Sequence, residues 1–155
     1  MVLNLAHLHL ILNHIPIIGI PFITILTIIS LIKKDLYLGK LVHWLFIGIT
    51  VLSVAVFLSG IGAQNVLHKA GISHEFIVPH HEASYWAMSF ILGLGAWSTL
   101  ALYANRKSSD FFSLKTSLIV TLLGAIATTV ILALTANLGA KISHPEIRPE
   151  QWINQ

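Results

Sequence analysis

Long uncharged stretches dominate the chain, and short charged segments separate them. Four apolar stretches are about 20 residues or longer, the length that a helix needs to cross a bilayer. The third is extended back to Pro79, because proline suits the first turn of a helix. The pattern predicts an all-α protein, an integral membrane four-helix bundle formed by a single domain over 1–155. We place its spans at about 8–32, 41–63, 79–104 and 116–140.

Proline and glycine within these spans predict departures from straight, widely spaced helices. Pro16 and Pro21 should kink the first span, since each removes a helical hydrogen bond. Glycines in the later spans would let neighbouring helices, or a flat cofactor, approach closely. These glycines are Gly60, Gly62, Gly93, Gly95 and Gly124.

Composition agrees with a lipid-facing surface. Only 10% of the residues are charged and the mean hydropathy is +0.82, whereas a soluble domain carries about 25% charged residues. The bilayer is therefore the first partner we predict. The net charge of +3 does not indicate nucleic-acid binding, because the basic residues are scattered between apolar runs.

The basic residues predict how the bundle is oriented. Six of the nine fall in two loops separated by two spans, whereas the opposite side has three basic residues and four glutamates. The positive-inside rule then puts both termini on the non-cytoplasmic side, which is the periplasm for a bacterial inner-membrane protein. No Lys or Arg precedes Lys33, so the charged start of a signal peptide is missing and we expect a retained first helix.

Nine histidines are the main chemical feature of the sequence. Eight belong to the half of the bundle that we place outside, and only His43 belongs to the inner half. His14 lies within the first span, His68 follows the second, His81 opens the third and His144 follows the fourth. Each predicted helix therefore brings a histidine to one layer near the outer face.

Paired histidines on facing helices are typical of a b-type haem site, in which two imidazoles hold a low-spin iron suited to electron transfer. An ionisable side chain at membrane depth is costly and functional by default, which favours His14. We predict His14 and His81 as the axial ligands that bind the metal, with His9, His68 and His144 supporting this haem b or holding a second one. His9 and His14 are five residues apart, about 140° around a helix, so they cannot both bind one iron.

Other histidines have plainer interpretations. His43 adjoins Trp44 and is expected to be an interfacial anchor, while His74 and His80 are expected to be loop or interfacial residues. Met88 lies seven residues after His81 on the same helix face, so His/Met ligation is an alternative. Cysteine is absent, which excludes thiolate-bound iron–sulfur clusters and a covalently attached c-type haem.

Three short runs resemble a known family. HLILNHIPIIG at 9–19 is similar to the opening of a family of small four-helix bacterial membrane proteins of largely unknown function, some of them suspected cytochrome-b-like subunits. HKAGISHEFI at 68–77, followed by His81 and Glu82, and NLGAKISHPEI at 137–147 also fit. Ala140, where glycine is expected, and Pro145 depart from the pattern. The resemblance implies a haem b at the outer side.

These features favour an electron-transfer subunit of an oxidoreductase complex over an enzyme acting alone. We expect the chain to carry electrons between the quinone pool and a periplasmic redox partner, with other complex subunits or a periplasmic cytochrome as partners. A haem-free membrane anchor or assembly subunit is one alternative, and a histidine-based copper or zinc site is another. A proton-pumping relay is not expected, because the spans lack buried carboxylates.

The charge pattern makes a prediction about topology. A reporter enzyme active only outside the cytoplasm should work when fused to either terminus and fail within 33–40 or 106–115, because the basic loops stay inside. Fusions at all four positions in intact cells measure this. A C-terminal fusion that works only in the cytoplasm would contradict the four-span orientation.

Overall fold

The computed structural model describes residues 4–107 and 111–148 and confirms the all-helical prediction for this part of the chain. Four segments are long and apolar enough to cross a membrane, and the first of them consists of two helices. A short 3-10 helix, Pro145–Ile147, follows the last. The α-helices are α1 (Leu5–Leu12), α2 (His14–Lys33), α3 (Leu36–Lys69), α4 (His74–Ala104) and α5 (Phe111–Ser143).

The first span is broken where the sequence predicts a kink. α1 ends at Leu12 and α2 begins at His14, with Asn13 between them. Pro16 has no N–H, and its ring excludes the carbonyl of Leu12 from the usual helical bond. Pro21 lies inside α2, which continues through it to Lys33. The break leaves α1 as a separate segment that packs against α3.

The helix that carries His80 and His81 begins earlier than the sequence suggests. We expected it to start near Pro79, whereas α4 starts at His74, because the Ser73 hydroxyl accepts a hydrogen bond from the Glu75 N–H. His81 is consequently the eighth residue of α4 and lies about 10 Å along it, rather than at its first turn.

The helices pack as a closed ring. α2 contacts α3, α3 contacts α4, α4 contacts α5, and α5 returns to α2, while α1 covers the adjoining end of α3. We call the end of the bundle that holds Asn4, the 70–73 turn and Arg148 the terminal end. The opposite end, where Lys34 and Asp35 connect α2 to α3, is the turn end.

The turn half of the core is closely packed and rich in small polar side chains. Phe46, Leu118 and Val42 are fully buried there. The hydroxyls donate hydrogen bonds to carbonyls of their own helices, as the Thr27 hydroxyl does to the Ile23 carbonyl at 2.8 Å. Lipid offers them no alternative partner. The other buried polar residues of this half include Ser30, His43, Ser98, Ser117 and Thr121.

His43 is not the interfacial anchor that its neighbour Trp44 suggested. It is fully buried, and its two ring nitrogens contact the hydroxyls of Ser98 and Ser117 from α4 and α5, each at 3.3 Å. Trp44 occupies the lipid-facing position instead and is 63% exposed. His43 therefore ties three helices together in the turn half.

Replacing His43 should destabilise the bundle without affecting the terminal half. His43→Ala loses buried volume and two interhelical contacts, so the free energy of unfolding should fall by about 1–3 kcal/mol. Leu41→Ala is the control, because Leu41 faces lipid with 49% exposure and should cost much less. Reversible unfolding in mixed detergent micelles measures both, and equal losses would contradict the role given to His43.

Candidate functional site: a histidine-lined cavity

The terminal half of the bundle opens into a cavity of about 640 Å³. This volume lies in the range of small-molecule and cofactor sites. Side chains from all five helices line it, and many are apolar, including Ile17, Phe57, Ile91 and Leu132. The lining also includes six of the nine histidines: His7, His9, His14, His80, His81 and His144.

His9 reaches across the bundle from α1 to α3. Its Nδ1 lies 3.2 Å from the carbonyl oxygen of Val56 and 3.0 Å from the hydroxyl of Ser59. The ring packs against the backbone at Gly60, where a Cβ would lie 3.0 Å from the ring carbon Cε1. His9 is thus fixed by a neighbouring helix rather than by its own.

His80 makes the matching set of contacts between α4 and α5. Its Nδ1 lies 3.0 Å from the carbonyl oxygen of Thr135. The ring packs against Gly139, where a Cβ would also lie 3.0 Å from Cε1. In both cases the glycine comes four residues after the residue whose carbonyl is bound. Two imidazoles on different helices therefore share the same carbonyl and glycine contacts, while the Ser59 hydroxyl contacts His9 alone.

The spacing of carbonyl and glycine has a physical reason. Side chains in an α-helix lean toward its N-terminus, so the residue at i+4 covers the carbonyl of residue i. Glycine at i+4 leaves that carbonyl open to a donor from another helix. Gly60 and Gly139 create these openings at Val56 and Thr135.

The carbonyl contacts determine the protonation of both rings. A carbonyl oxygen can only accept a hydrogen bond, so Nδ1 of His9 and of His80 must carry the proton. In a neutral imidazole Nε2 then keeps its lone pair, and no described residue bonds to it. The two rings also lie within electrostatic range of each other. The cavity is thus lined by two imidazoles whose Nε2 atoms remain able to bind a metal, and each ring is held through its second nitrogen, as is common for histidine ligands.

Two further observations test whether the cavity suits a bound group. Asn13, one helical turn from His9, lines the cavity, and its side-chain oxygen is buried without a hydrogen-bond partner in the described chain. Buried polar atoms rarely stay unpaired, so this oxygen fits a site that is completed by a ligand. The glycine openings at positions 60 and 139 similarly supply space that side chains would fill.

The structure brings the predicted ligands His14 and His81 to the same cavity, but neither makes an interhelical hydrogen bond with any residue of the described part of the chain. His14 is exposed, and its Nδ1 lies 2.9 Å from the Leu10 carbonyl of the preceding turn, at the break between α1 and α2. His81 is half-buried and meets the Tyr85 ring edge-on at 4.7 Å.

The other predicted supporting histidines divide between the cavity and its surroundings. His68 lies outside the cavity lining and packs on His74, with ring centroids 4.2 Å apart. His144 lines the cavity, and its Nδ1 lies 2.9 Å from a carboxylate oxygen of Glu146. The pKa of Glu146 is lowered, first by a hydrogen bond from its own backbone N–H and second by His144.

The propionates of a haem would require basic partners, and Lys69, Lys141 and Arg148 are the basic residues near the terminal end, but none of these three lines the cavity. Arg148 is engaged elsewhere, because it donates to the Lys141 and Ile142 carbonyls and stacks 4.0 Å over the Phe76 ring. It closes the end of α5 onto α4.

His80 is the residue that sequence reasoning missed. The predicted helix start at Pro79 makes His80 a loop or interfacial residue, whereas His80 lies inside α4. The useful signal was Gly139, because a histidine can approach a carbonyl only where the facing helix has an opening. Nothing in the sequence pairs these two residues until α4 and α5 are known to pack together.

No three His, Asp or Glu side chains in the described residues converge closely enough to hold a metal ion by themselves. A copper or zinc site built only from side chains usually needs three or four ligands. Two imidazoles beside a large cavity instead suit a metal-containing cofactor whose own atoms bind the metal at the remaining positions.

Comparison with known protein families, curated proteins and solved structures finds no match to this chain. The cytochrome-b-like resemblance is therefore carried only by the three sequence motifs at 9–19, 68–77 and 137–147.

The imidazole contacts predict distinct effects of glycine substitutions. Gly60→Ala should disturb only the His9 ring and Gly139→Ala only the His80 ring, because each added methyl group meets one imidazole. Gly93→Ala is the control, since a Cβ there meets nothing within 4 Å. Nitrogen-15 NMR of labelled histidine should show Nδ1–H tautomers for His9 and His80, and each site variant should perturb one of these two signals. Further Nδ1–H signals are expected from His7, His14 and His144, whose Nδ1 atoms also face oxygen acceptors, and neither variant should change them. Loss of both the His9 and the His80 signal in either variant would contradict separate contacts.

Proposed function

We propose that this chain is a membrane-bound b-type cytochrome subunit in which His9 and His80 are the axial ligands of one haem b. One observation carries the proposal: two imidazoles from different helices flank one cavity, each with Nδ1 bonded to a carbonyl and Nε2 unbonded. Haem b supplies a one-electron iron couple when it is bound. Two neutral histidines are the ligand set of low-spin haems specialised for electron transfer.

Depth along the helices favours His9 and His80 over the pair proposed from the sequence. The His9 and His80 rings bind matching positions on α3 and α5, so they are taken to lie at the same depth in the bundle. His14 lies five residues deeper than His9, about 7.5 Å, whereas His81 lies one residue deeper than His80, about 1.5 Å. His14 and His81 therefore differ in depth by about 6 Å, which is unfavourable for ligands of a single iron.

The remaining lining provides the environment of the site. Ile17, Phe57, Ile91 and Leu132 give the cavity apolar walls. Such walls would disfavour the net positive charge of an oxidised haem and so raise its reduction potential. The Val56 and Thr135 carbonyls hold the two rings in position and increase their basicity as ligands. The unpaired side-chain oxygen of Asn13 can accept a hydrogen bond from a donor group or a water molecule in the occupied cavity.

The location of the cavity supports the electron-transfer role. It lies in the terminal half of the bundle, where α1 and α4 begin and α3 and α5 end. A water-soluble redox partner can approach this end. The apolar flanks give access to membrane quinones. We propose electron transfer between the quinone pool and a periplasmic partner, within a larger complex in the bacterial inner membrane.

Substitution of the histidines tests the ligand pair. The purified protein, expressed with haem available, should show the absorption spectrum of a reduced low-spin b-type cytochrome. His9→Ala and His80→Ala should each lose haem or become high-spin, because one axial ligand is missing. His14→Ala and His81→Ala should retain most of the low-spin haem.

His7→Ala is the matched control, since His7 lines the cavity but bonds only to Asn4 of its own helix end. Loss of the spectrum in His14→Ala and His81→Ala with His9→Ala and His80→Ala intact would restore the pair predicted from the sequence. Absence of haem from every preparation would favour a membrane anchor, and stoichiometric copper or zinc would favour a metal site.

A further inference from the structure

The matched environments of His9 and His80 give two fixed offsets between the halves of the chain. His80 comes 71 residues after His9, so 71 relates α1 and α2 to α4. Thr135 and Gly139 come 79 residues after Val56 and Gly60, so 79 relates α3 to α5. These offsets are defined by three pairs of residues only, which leaves the rest of each helix as an independent test.

The buried residues of α2 and α4 agree with the offset of 71. The six buried residues of α2 are Pro16, Ile20, Ile23, Thr24, Thr27 and Ser30. Adding 71 gives Ala87, Ile91, Leu94, Gly95, Ser98 and Ala101, and each of these is buried in α4. The helix ends agree as well, because α2 ends at Lys33 and α4 at Ala104, 71 residues later.

The second helices agree at seven of eight positions. The buried residues of α3 are Gly39, Val42, His43, Phe46, Ile49, Ser53, Val56 and Ala63. Adding 79 gives Leu118, Thr121, Leu122, Ala125, Thr128, Leu132, Thr135 and Ile142, of which only Leu122 is not buried. An offset wrong by one residue would rotate the pattern by about 100° and lose this agreement.

We infer that the chain consists of two equivalent helical hairpins related by an approximate twofold axis, and that the cavity lies on this axis. Each hairpin contributes one imidazole from its first span and one carbonyl with its glycine opening from its second. Much of the lining follows the same rule, since Ala6, Asn13 and Ile17 correspond to Ile77, Ser84 and Met88, whereas the equivalents of His7 and His14 do not line the cavity.

The twofold relation has a consequence for the ligand, which rests on the proposed function. The half-turn that exchanges His9 and His80 also exchanges the two faces of any flat group held between them. Haem b has different faces, because its vinyl groups are arranged asymmetrically around the ring. Two nearly equivalent hairpins should therefore accept haem b in both facial orientations.

Only non-equivalent lining positions can make one orientation better than the other. Ile17 corresponds to Met88, and Phe57 corresponds to Ala136. These differences concern a few apolar contacts, so the preference should stay within about tenfold. Variants that make the hairpins more alike should bring the two populations closer to equality.

Proton NMR of the ferric protein tests the inference, because the haem methyl groups give separate resonances for each orientation. We expect two sets of signals in the unaltered protein. Ile17→Met places methionine in both hairpins, and Phe57→Ala places alanine in both, so each should shift the ratio of the two sets. Leu58→Met is the control, because Leu58 is 60% exposed and should leave the ratio unchanged.

The absorption spectrum separates the possible failures. A low-spin spectrum with one set of methyl signals in the unaltered protein and in both variants would overturn the twofold inference while leaving the ligand pair intact. Two sets whose ratio does not respond to Ile17→Met or Phe57→Ala would also overturn it. Without a low-spin spectrum, the proposed function fails and the haem orientation inference fails with it.

Discussion

The structure depends on one constraint: in a bilayer, each polar group must find its partner inside the bundle. A membrane-embedded imidazole has few available partners, since the backbone carbonyls of a helix are already bonded and covered by side chains. Gly60 and Gly139 remove that cover at single points. The resulting contacts tie α1 to α3 and α4 to α5, and both His9 and His80 line the same cavity.

The two halves of the bundle satisfy this constraint in different ways. In the turn half, Ser and Thr hydroxyls bond within their own helices and His43 bonds to two serines, so the helices pack closely. In the terminal half, the break at Asn13 and the separate packing of α1 leave room between the helices. Such a division suits a protein that needs a rigid base and an open binding site.

The sequence was sufficient to predict the four helices, since lipid requires long apolar stretches whatever their partners are. It also indicated that histidines gather near one end of the bundle. It did not predict which of them meet, because that depends on helix rotation and on where each helix begins. Capping by Ser73 starts α4 five residues before Pro79, and this shift moves His80 from the expected interface into the cavity.

The equivalence of the hairpins was also hidden from the sequence. Identical residues at related positions are few, because a lipid-facing or core position accepts many apolar residues. His9 with His80 and Gly60 with Gly139 are among the exceptions. The contact requires both the histidine, whose nitrogen bonds to the carbonyl, and the glycine, which leaves that carbonyl open. Neither residue of such a pair can therefore vary alone without loss of the contact.

His43 shows what happens where the hairpins differ. The positions equivalent to His43, Ser98 and Ser117 are Leu122, Thr27 and Leu38, so the cluster in the turn half exists once and has no second imidazole across the axis. His43 lies 13 residues before Val56 on α3, about 20 Å from the level of His9 and His80. Within the described residues, two imidazoles from different helices therefore line a common cavity in the terminal half of the bundle, and the turn half has no such pair.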